Sequence, residues 1–363
     1  MKRGMRRFAA VCLSLLAVAG CHRKRGDAYK MEQVAAAGSS ACAAMKDGSV
    51  RCWGRNDRGP LVAGAPAALT SPTTVPGVAQ AVQVCVGSGF ACARDRDGKI
   101  ACWGDARDGR IGGNGLSGAT DLACGAAHAC AIASGKVFCW GKGDDGEIGD
   151  GAKTTRPAPV EVPGANGATS IAAGGQTTCA VFVDGGVRCW GRGREGEMGN
   201  GAFEDRAAST LVHTSDVKAV SVGGAHVCAL RRDETLVCFG DNEAGQLGDG
   251  TTENRALPVA ASGVLIASEI AAGAHHTCAR MGDSTVHCWG KNDLHQSGLS
   301  EQPVVTTPTL VPGLYESKAV IAGDDFTCVR MQDGWLRCFG VNDWGQLGDM
   351  STELRNVPTP IRY

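Results

Sequence analysis

The chain has 363 residues, with 53 glycines but only 3 tyrosines and 8 phenylalanines, and a hydrophobic fraction of 43% rich in alanine and valine. That composition suits many short strands joined by tight turns and argues against long helices. Lysine and arginine total 36 against 37 for aspartate and glutamate, so no global field exists to draw in nucleic acid or an anionic surface, and nucleic acid is not an expected partner.

The first twenty residues stand apart from the rest. Lys2, Arg3, Arg6 and Arg7 form a basic head, and Phe8 to Gly20 is an apolar run of 13 residues, too short to span a hydrocarbon core of roughly 30 Å as a stable helix. This is the pattern of a secretory signal. Its end, Val18-Ala19-Gly20-Cys21, resembles the lipobox of bacterial lipoproteins, which implies cleavage before Cys21 and acylation of that cysteine. The competing reading is an ordinary cleavage site followed by a chance cysteine. Residues 1–20 are thus expected to be the signal, Cys21 the lipid anchor, and 21–30 a polar tether. His22 stands where enteric bacteria place the aspartate that retains lipoproteins in the inner membrane. The resemblance therefore implies an exported protein anchored to the cell envelope at the outer membrane.

From residue 31 to 363 the chain repeats itself. Cys52-Trp-Gly, Cys102-Trp-Gly, Cys139-Trp-Gly, Cys189-Trp-Gly, Cys238-Phe-Gly, Cys288-Trp-Gly and Cys338-Phe-Gly follow one another at intervals of 50, 37, 50, 49, 50 and 50 residues. Each full copy reads as a small-residue strand ending in Gly, a strand through a first Cys, an Asp-Gly-like turn, a strand through a second Cys, Gly-x-x-Gly, and a Pro-Val segment. Three or four strands per copy of about 50 residues is propeller-sized, and seven copies fall within the usual number of blades. No terminal copy looks like the cap an open solenoid requires, so a closed, all-β, seven-bladed ring is expected. The second copy runs from Gly112-Gly113-Asn114-Gly115 to Cys124 without a Pro-Val segment, which predicts a blade lacking its outermost strand. Copy one has Gly59-Pro60-Leu61-Val62, and copy six Leu294-His295-Gln296-Ser297-Gly298, in place of Gly-Gln-Leu-Gly. Deviations in the adjacent copies one and two mark either a partner surface or drift.

Of 18 cysteines, Cys12 lies in the signal and Cys21 is the proposed anchor. Fourteen others fall into hairpin pairs: Cys42/Cys52, Cys92/Cys102, Cys130/Cys139, Cys179/Cys189, Cys228/Cys238, Cys278/Cys288 and Cys328/Cys338. A three-residue turn at Lys46-Asp47-Gly48 makes Met45 face Ser49 and therefore Cys42 face Cys52. Counting outward puts both at a non-hydrogen-bonded position, where Cα atoms approach to about 4.5 Å, within disulfide reach. The third pair is one residue closer, but its turn, Ser134-Gly135, has shrunk to two residues, so Cys130 still faces Cys139. One disulfide per blade hairpin is the reading, and export supplies the oxidising compartment. Cys85 and Cys124 remain. They sit on neighbouring inner strands, offset by one residue relative to their copies, and are either an extra disulfide or two buried thiols.

These units resemble the regulator of chromosome condensation repeat. The residues that carry the likeness are Gly223-Gly224-Ala225-His226-Val227-Cys228-Ala229, Asp47-Gly48-Ser49-Val50-Arg51-Cys52-Trp53-Gly54-Arg55-Asn56, Gly245-Gln246-Leu247-Gly248 and Gly345-Gln346-Leu347-Gly348. The resemblance implies a seven-bladed propeller, a fold also used by a secreted bacterial β-lactamase inhibitor. It does not carry over the namesake's nucleotide exchange or chromatin binding, because fold does not fix function.

His128, His226 and His276 each precede a first Cys by two residues, with His275 beside the last. They are either a ring of metal ligands or, as preferred here, structural residues bonded to local backbone, with Thr177 or Gln176 in the fourth copy. Trp53, Trp103, Trp140, Trp190, Phe239, Trp289 and Phe339 are expected to pack between blades. The acidic pairs Asp144-Asp145, Glu204-Asp205, Asp233-Glu234 and Asp324-Asp325 lie in turns, where a weak calcium site is conceivable. No Gly-x-Ser-x-Gly, P-loop or His-Glu-x-x-His occurs, and no cofactor or metal is expected. Two functions remain. One is a binding or scaffolding module for an unidentified protein or peptide; the other is a hydrolase or lyase acting on envelope polymers at the channel mouth. Inner strands as small as Ala35-Ala36-Ala37-Gly38 favour binding over catalysis.

Overall fold

A computed structural model of the protein describes residues 30–361 except 60, 265, 300 and 301; Cys21 and the segment 1–20 expected to be a signal lie outside the described residues. Six four-stranded antiparallel sheets and one three-stranded sheet, each in sequence order, form the blades. Blade one spans residues 31–74, blade two 81–104, blade three 119–161, blade four 168–211, blade five 217–260, blade six 267–310 and blade seven 317–360. Their first strands succeed one another around a central channel, and the first strand of blade one, Met31–Ala37, packs against that of blade seven, Ser317–Ala322. The ring closes without exchange of a strand: blade one is built wholly from the start of the repeats and blade seven wholly from their end.

The hairpins follow from their turns. In blade one Gly48 takes the left-handed conformation at φ +83°, and the Asp47 carboxylate accepts the Ser49 N–H at 2.9 Å. That sets Cys42 opposite Cys52, and in blade three the two-residue turn sets Cys130 opposite Cys139. All seven hairpin pairs are bridged, with Cα atoms 4.0 to 4.1 Å apart, somewhat closer than the about 4.5 Å of an ordinary non-hydrogen-bonded pair. Cys85 and Cys124 are also bonded, Cα to Cα 5.4 Å, joining the first strands of blades two and three. Those strands belong to different sheets, so the rule that a one-residue offset reverses the facing does not apply between them. Blade two has three strands, ending at Ile100–Gly104.

Each seam between blades is filled by the aromatic after the second Cys. Trp53, Trp140, Trp190, Phe239, Trp289 and Phe339 have no exposed surface, and the indole N–H groups donate backwards to the Gly-x-x-Gly loop of the preceding blade. Trp140 reaches the Arg110 carbonyl at 3.1 Å, Trp190 that of Glu147 at 2.9 Å and Trp289 that of Gln246 at 2.9 Å. The last glycine of that loop lies flat on the same ring; a Cβ on Gly248 would stand 2.7 Å from Trp289 Nε1. This contact is the physical reason for the Gly-x-x-Gly repeat.

Candidate functional site

The antiparallel meander divides the connections between two ends of the ring. The Asp-Gly turns and the blade-to-blade connections lie at one end. At the other, the loop face, lie the glycine-rich turns after the first strands and the Gly-x-x-Gly loops. The channel narrows at the loop face, where its wall is mostly alanine and glycine, such as Ala36, Gly38, Ala126 and Gly224, with Ser88, Val222 and Asp324 among them. Backbone hydrogen bonds cross five of the seven seams here: Ser88 N–H to Ala126 O at 2.9 Å, Ala126 to Gly175 at 2.8 Å, Gly224 to Gly273 at 3.1 Å, Ala274 to Asp324 at 3.2 Å and Asp324 to Gly38 at 3.1 Å. The turns are thus locked to one another. At the opposite end the channel widens to a cavity of about 300 Å³ bounded by Gln33, Gln83, Cys85 and Ser221.

The first halves of the inner strands are less bare than their second halves. Every one carries a bulge near its start, for instance between Ala119 and Asp121. Near it a polar side chain takes up a backbone N–H of the next blade: Gln33 accepts from Val84 at 2.8 Å, Asp121 from Ile171 at 2.9 Å and Glu269 from Val320 at 3.3 Å. Desolvation raises the Glu269 carboxyl above the usual range.

The histidines His128, His226 and His276 are fully buried and each bonds the next blade, not local backbone. Their Nε2 atoms lie 2.7, 2.8 and 2.8 Å from the hydroxyls of Thr178, Thr277 and Thr327. Those hydroxyls donate to the carbonyls of Glu147, Gln246 and Gln296, so each accepts from the imidazole, which fixes the Nε2-protonated tautomer. Burial depresses the three imidazoles to about 4, 4 and 3. The sequence carried a signal for this pairing: Thr occupies the place before the first Cys only in the copies after a His copy, whereas Ala129 and Ala41 follow the copies with Phe90 and Phe326. Thr177 instead donates to Arg192 O at 3.0 Å.

His275 is different. It is half-exposed on the loop face, 3.5 Å from Asp241, whose hydrogen bond raises its pKa. Asp241 also accepts from Gln246 at 2.7 Å. With Glu243, Lys291, Asp293 and the apolar Ala244, Pro303 and Val304, His275 and Asp241 line a cavity of about 350 Å³. Across the mouth, Arg55 and Arg58 line a smaller cavity of about 140 Å³ between blades one and two, and Arg55 stacks over Trp344 of blade seven at 4.3 Å. At least one member of each acidic pair is engaged with a protein partner. Asp145 and Asp205 share Arg194 at 2.7 and 2.9 Å, Glu204 pairs with Arg206, and Asp233 caps Thr235. Burial alone would raise Asp205, but hydrogen bonds from Arg194, Lys153 and Gly193 outweigh it and hold it at about 2. Desolvation raises Asp324, which accepts the Gly38 N–H at 2.8 Å. Among the described residues no group of three or more His, Cys, Asp and Glu is disposed to hold a metal ion.

Comparison with known proteins agrees with this architecture. Residues 113–363 match the RCC1-like domain, and 32–59 and 81–110 match the regulator of chromosome condensation (RCC1) repeat. The fold is similar to that of Prp20p from Saccharomyces cerevisiae, with TM-score 0.76 and 21% identity over 88% of this chain and 87% of that one. It is also similar to human WBSCR16, with TM-score 0.72 and 20% identity over 84% and 87% of the two chains. The ectodomain of the Arabidopsis thaliana receptor kinase ACR4 gives TM-score 0.55 and 19% identity over 92% and 98%. No curated protein sequence matches. With a match over most of its length, the chain belongs to the RCC1-like domain family.

Proposed function

We propose that the protein is an envelope lipoprotein whose propeller binds a protein or peptide partner on its loop face. The observation that carries this reading is the channel mouth. Its wall is mostly alanine and glycine and its turns are tied by backbone bonds, which keeps the channel narrow at this end and holds the surrounding loops rigidly. Arg58 on one side of the mouth and Asp241, Glu243, His275 and Asp293 on the other then stand on a fixed platform. Prp20p, of the same fold, is described with binding properties to Gsp1p and histones; for this chain the likeness supports a binding role and names no partner.

Eight disulfides suit an oxidising, extracytoplasmic compartment, and the lipobox-like Val18-Ala19-Gly20-Cys21 supports acylation of Cys21. Lys30 sits at the turn face, where its carbonyl accepts the Lys46 N–H at 2.9 Å. The nine residues 22–30 reach at most about 30 Å. An anchor at Cys21 would then hold the turn face towards the bilayer and present the loop face away from it.

The test is crosslinking and pull-down from native envelopes, with palmitate labelling of the wild type and of Cys21→Ala. A specific protein recovered with the wild type, and lost when Arg58→Glu and Asp241→Lys are combined, supports the reading. Turnover of an envelope polymer without any recovered protein contradicts it.

A further inference from the structure

Six of the seven sheets end in an outer strand, and these strands share a local sequence. Opposite the second Cys of their hairpins stand Thr73, Val160, Thr210, Val259, Thr309 and Thr359. In five of the six the preceding residue is proline: Pro72, Pro159, Pro258, Pro308 and Pro358. Proline is accommodated because its nitrogen faces away from the sheet on an outermost strand. The close pairing of the two cysteines turns the second one's N–H and C=O towards that strand.

In blade two those groups have no strand to meet. Cys102 is instead satisfied by a side chain: Asn114 Oδ1 accepts its N–H at 2.6 Å, and Asn114 Nδ2 donates to its carbonyl at 3.3 Å. One carboxamide thus stands in for one peptide group of the missing strand. The next outward N–H, that of Ile100, goes to Leu116 O at 2.9 Å. The substitute is shallow. Asn114 and Gly115 are exposed, Gly115 holds φ +93° with open space around it, and Ala101 on the edge strand is exposed too. Trp103 is only partly buried, whereas its counterparts in blades one, three, four and six are fully buried.

We propose that blade two takes an extended segment of a partner protein as its fourth strand, in place of the Asn114 side chain and the Leu116 carbonyl. The segment carries Pro-Thr or Pro-Val, with the β-branched residue opposite Cys102. Addition of a strand to an open sheet edge draws affinity from main-chain bonds and specificity from the alternate side chains. The six sister blades show what this edge accepts. The inference goes beyond the loop-face reading, which needs no contact at the outer rim of blade two.

The probe is a synthetic peptide with the sequence of residues 304–311, Val-Val-Thr-Thr-Pro-Thr-Leu-Val, titrated into the folded chain and into Asn114→Ala. Removing the competing carboxamide is expected to tighten binding at least about fivefold. N-methylation at the threonine after proline should abolish binding, N-methylation at the following leucine should leave it intact, and the Cys102 amide should gain protection from exchange. No saturable binding to an Asn114→Ala variant with a native spectrum would overturn the proposal, as would indifference to methylation at that threonine. Dimerisation of Asn114→Ala without peptide would assign the edge to a second copy and contradict a partner. A loop-face partner recovered while the peptide fails would leave the proposed function standing and sink only this inference.

Discussion

The indole N–H of Trp53 donates to the carbonyl of Gln346 at 3.0 Å, joining the first blade to the last. Among the described residues no strand crosses that seam, so closure rests on this bond, on the Asp324–Gly38 contacts at the channel, on the Met350 N–H to Thr70 O bond at 2.8 Å and the Arg330 to Met31 O bond at 3.3 Å, on Arg55 over Trp344 and on packing of the inner strands. Trp53→Phe keeps a ring of the kind present at Phe239 and Phe339 but removes the donor; guanidinium unfolding with disulfides intact should show a loss of about 1 kcal/mol. Trp53→Ala should cost about 3–5 kcal/mol. An unchanged midpoint for the alanine variant would mean that the seam is not closed in solution.

His128, His226 and His276 make the fold acid-sensitive in a defined direction. Burial holds them neutral down to pH about 4, 4 and 3, whereas in the unfolded chain they protonate near 6.5. A depressed histidine favours unfolding as pH falls through the unfolded value, and the loss stops growing below the folded one. Each should remove on the order of 2 kcal/mol between pH 7 and 5. His226→Phe combined with Thr277→Ala, the residue pair that blades two and three already use as Phe90 and Ala129, should lower the midpoint of acid denaturation. A midpoint unmoved would contradict the assignment.

Glu197 occupies the place that Gln246, Gln296 and Gln346 hold elsewhere. Its Oε2 accepts the Glu195 N–H at 2.8 Å, while Oε1 has no hydrogen-bond partner and lies 3.7 Å from Arg192 Nε. Burial raises this carboxyl, so its destabilising effect grows as pH rises from the unfolded value to the folded one and is then constant. Glu197→Gln should therefore stabilise by about 1 kcal/mol at pH 7 and by little at pH 4. Thermal melts at the two pH values read the difference.

Blade order, the hairpin staples and the missing strand of blade two were legible in the sequence because each is local: a turn of known length sets the facing of Cys42 and Cys52, and a deleted segment cannot form a strand. What depends on the next blade was legible only in part: the aromatics after the second Cys were expected to pack between blades, but the side-chain bonds across the seams were not expected. The Thr178, Thr277 and Thr327 hydroxyls meet histidines about fifty residues away, and the Asp121 carboxylate, beside a bulge, accepts from Ile171 fifty residues on. The Cys85–Cys124 bond stayed open for the same reason, since spacing within a copy says nothing about two sheets packed side by side. The pairing of Asn114 with Cys102 was hidden in a glycine-rich run that reads as plain loop.

The Cys85–Cys124 bond spans 39 residues of sequence and ties two blades, while each hairpin staple spans 9 or 10 within a pair already held by its ladder. In the chain-entropy account the longer loop contributes up to about 4 kcal/mol. Replacing both cysteines by serine should therefore destabilise more than the same change at Cys92 and Cys102, as read from denaturant midpoints.

The most direct measurement is peptide mapping of the unreduced protein by mass spectrometry. Seven linked pairs within hairpins, from Cys42–Cys52 to Cys328–Cys338, together with Cys85–Cys124, are the predicted result. Free thiols at the hairpin positions, or bonds between hairpins of different blades, would contradict a ring of seven separately stapled sheets.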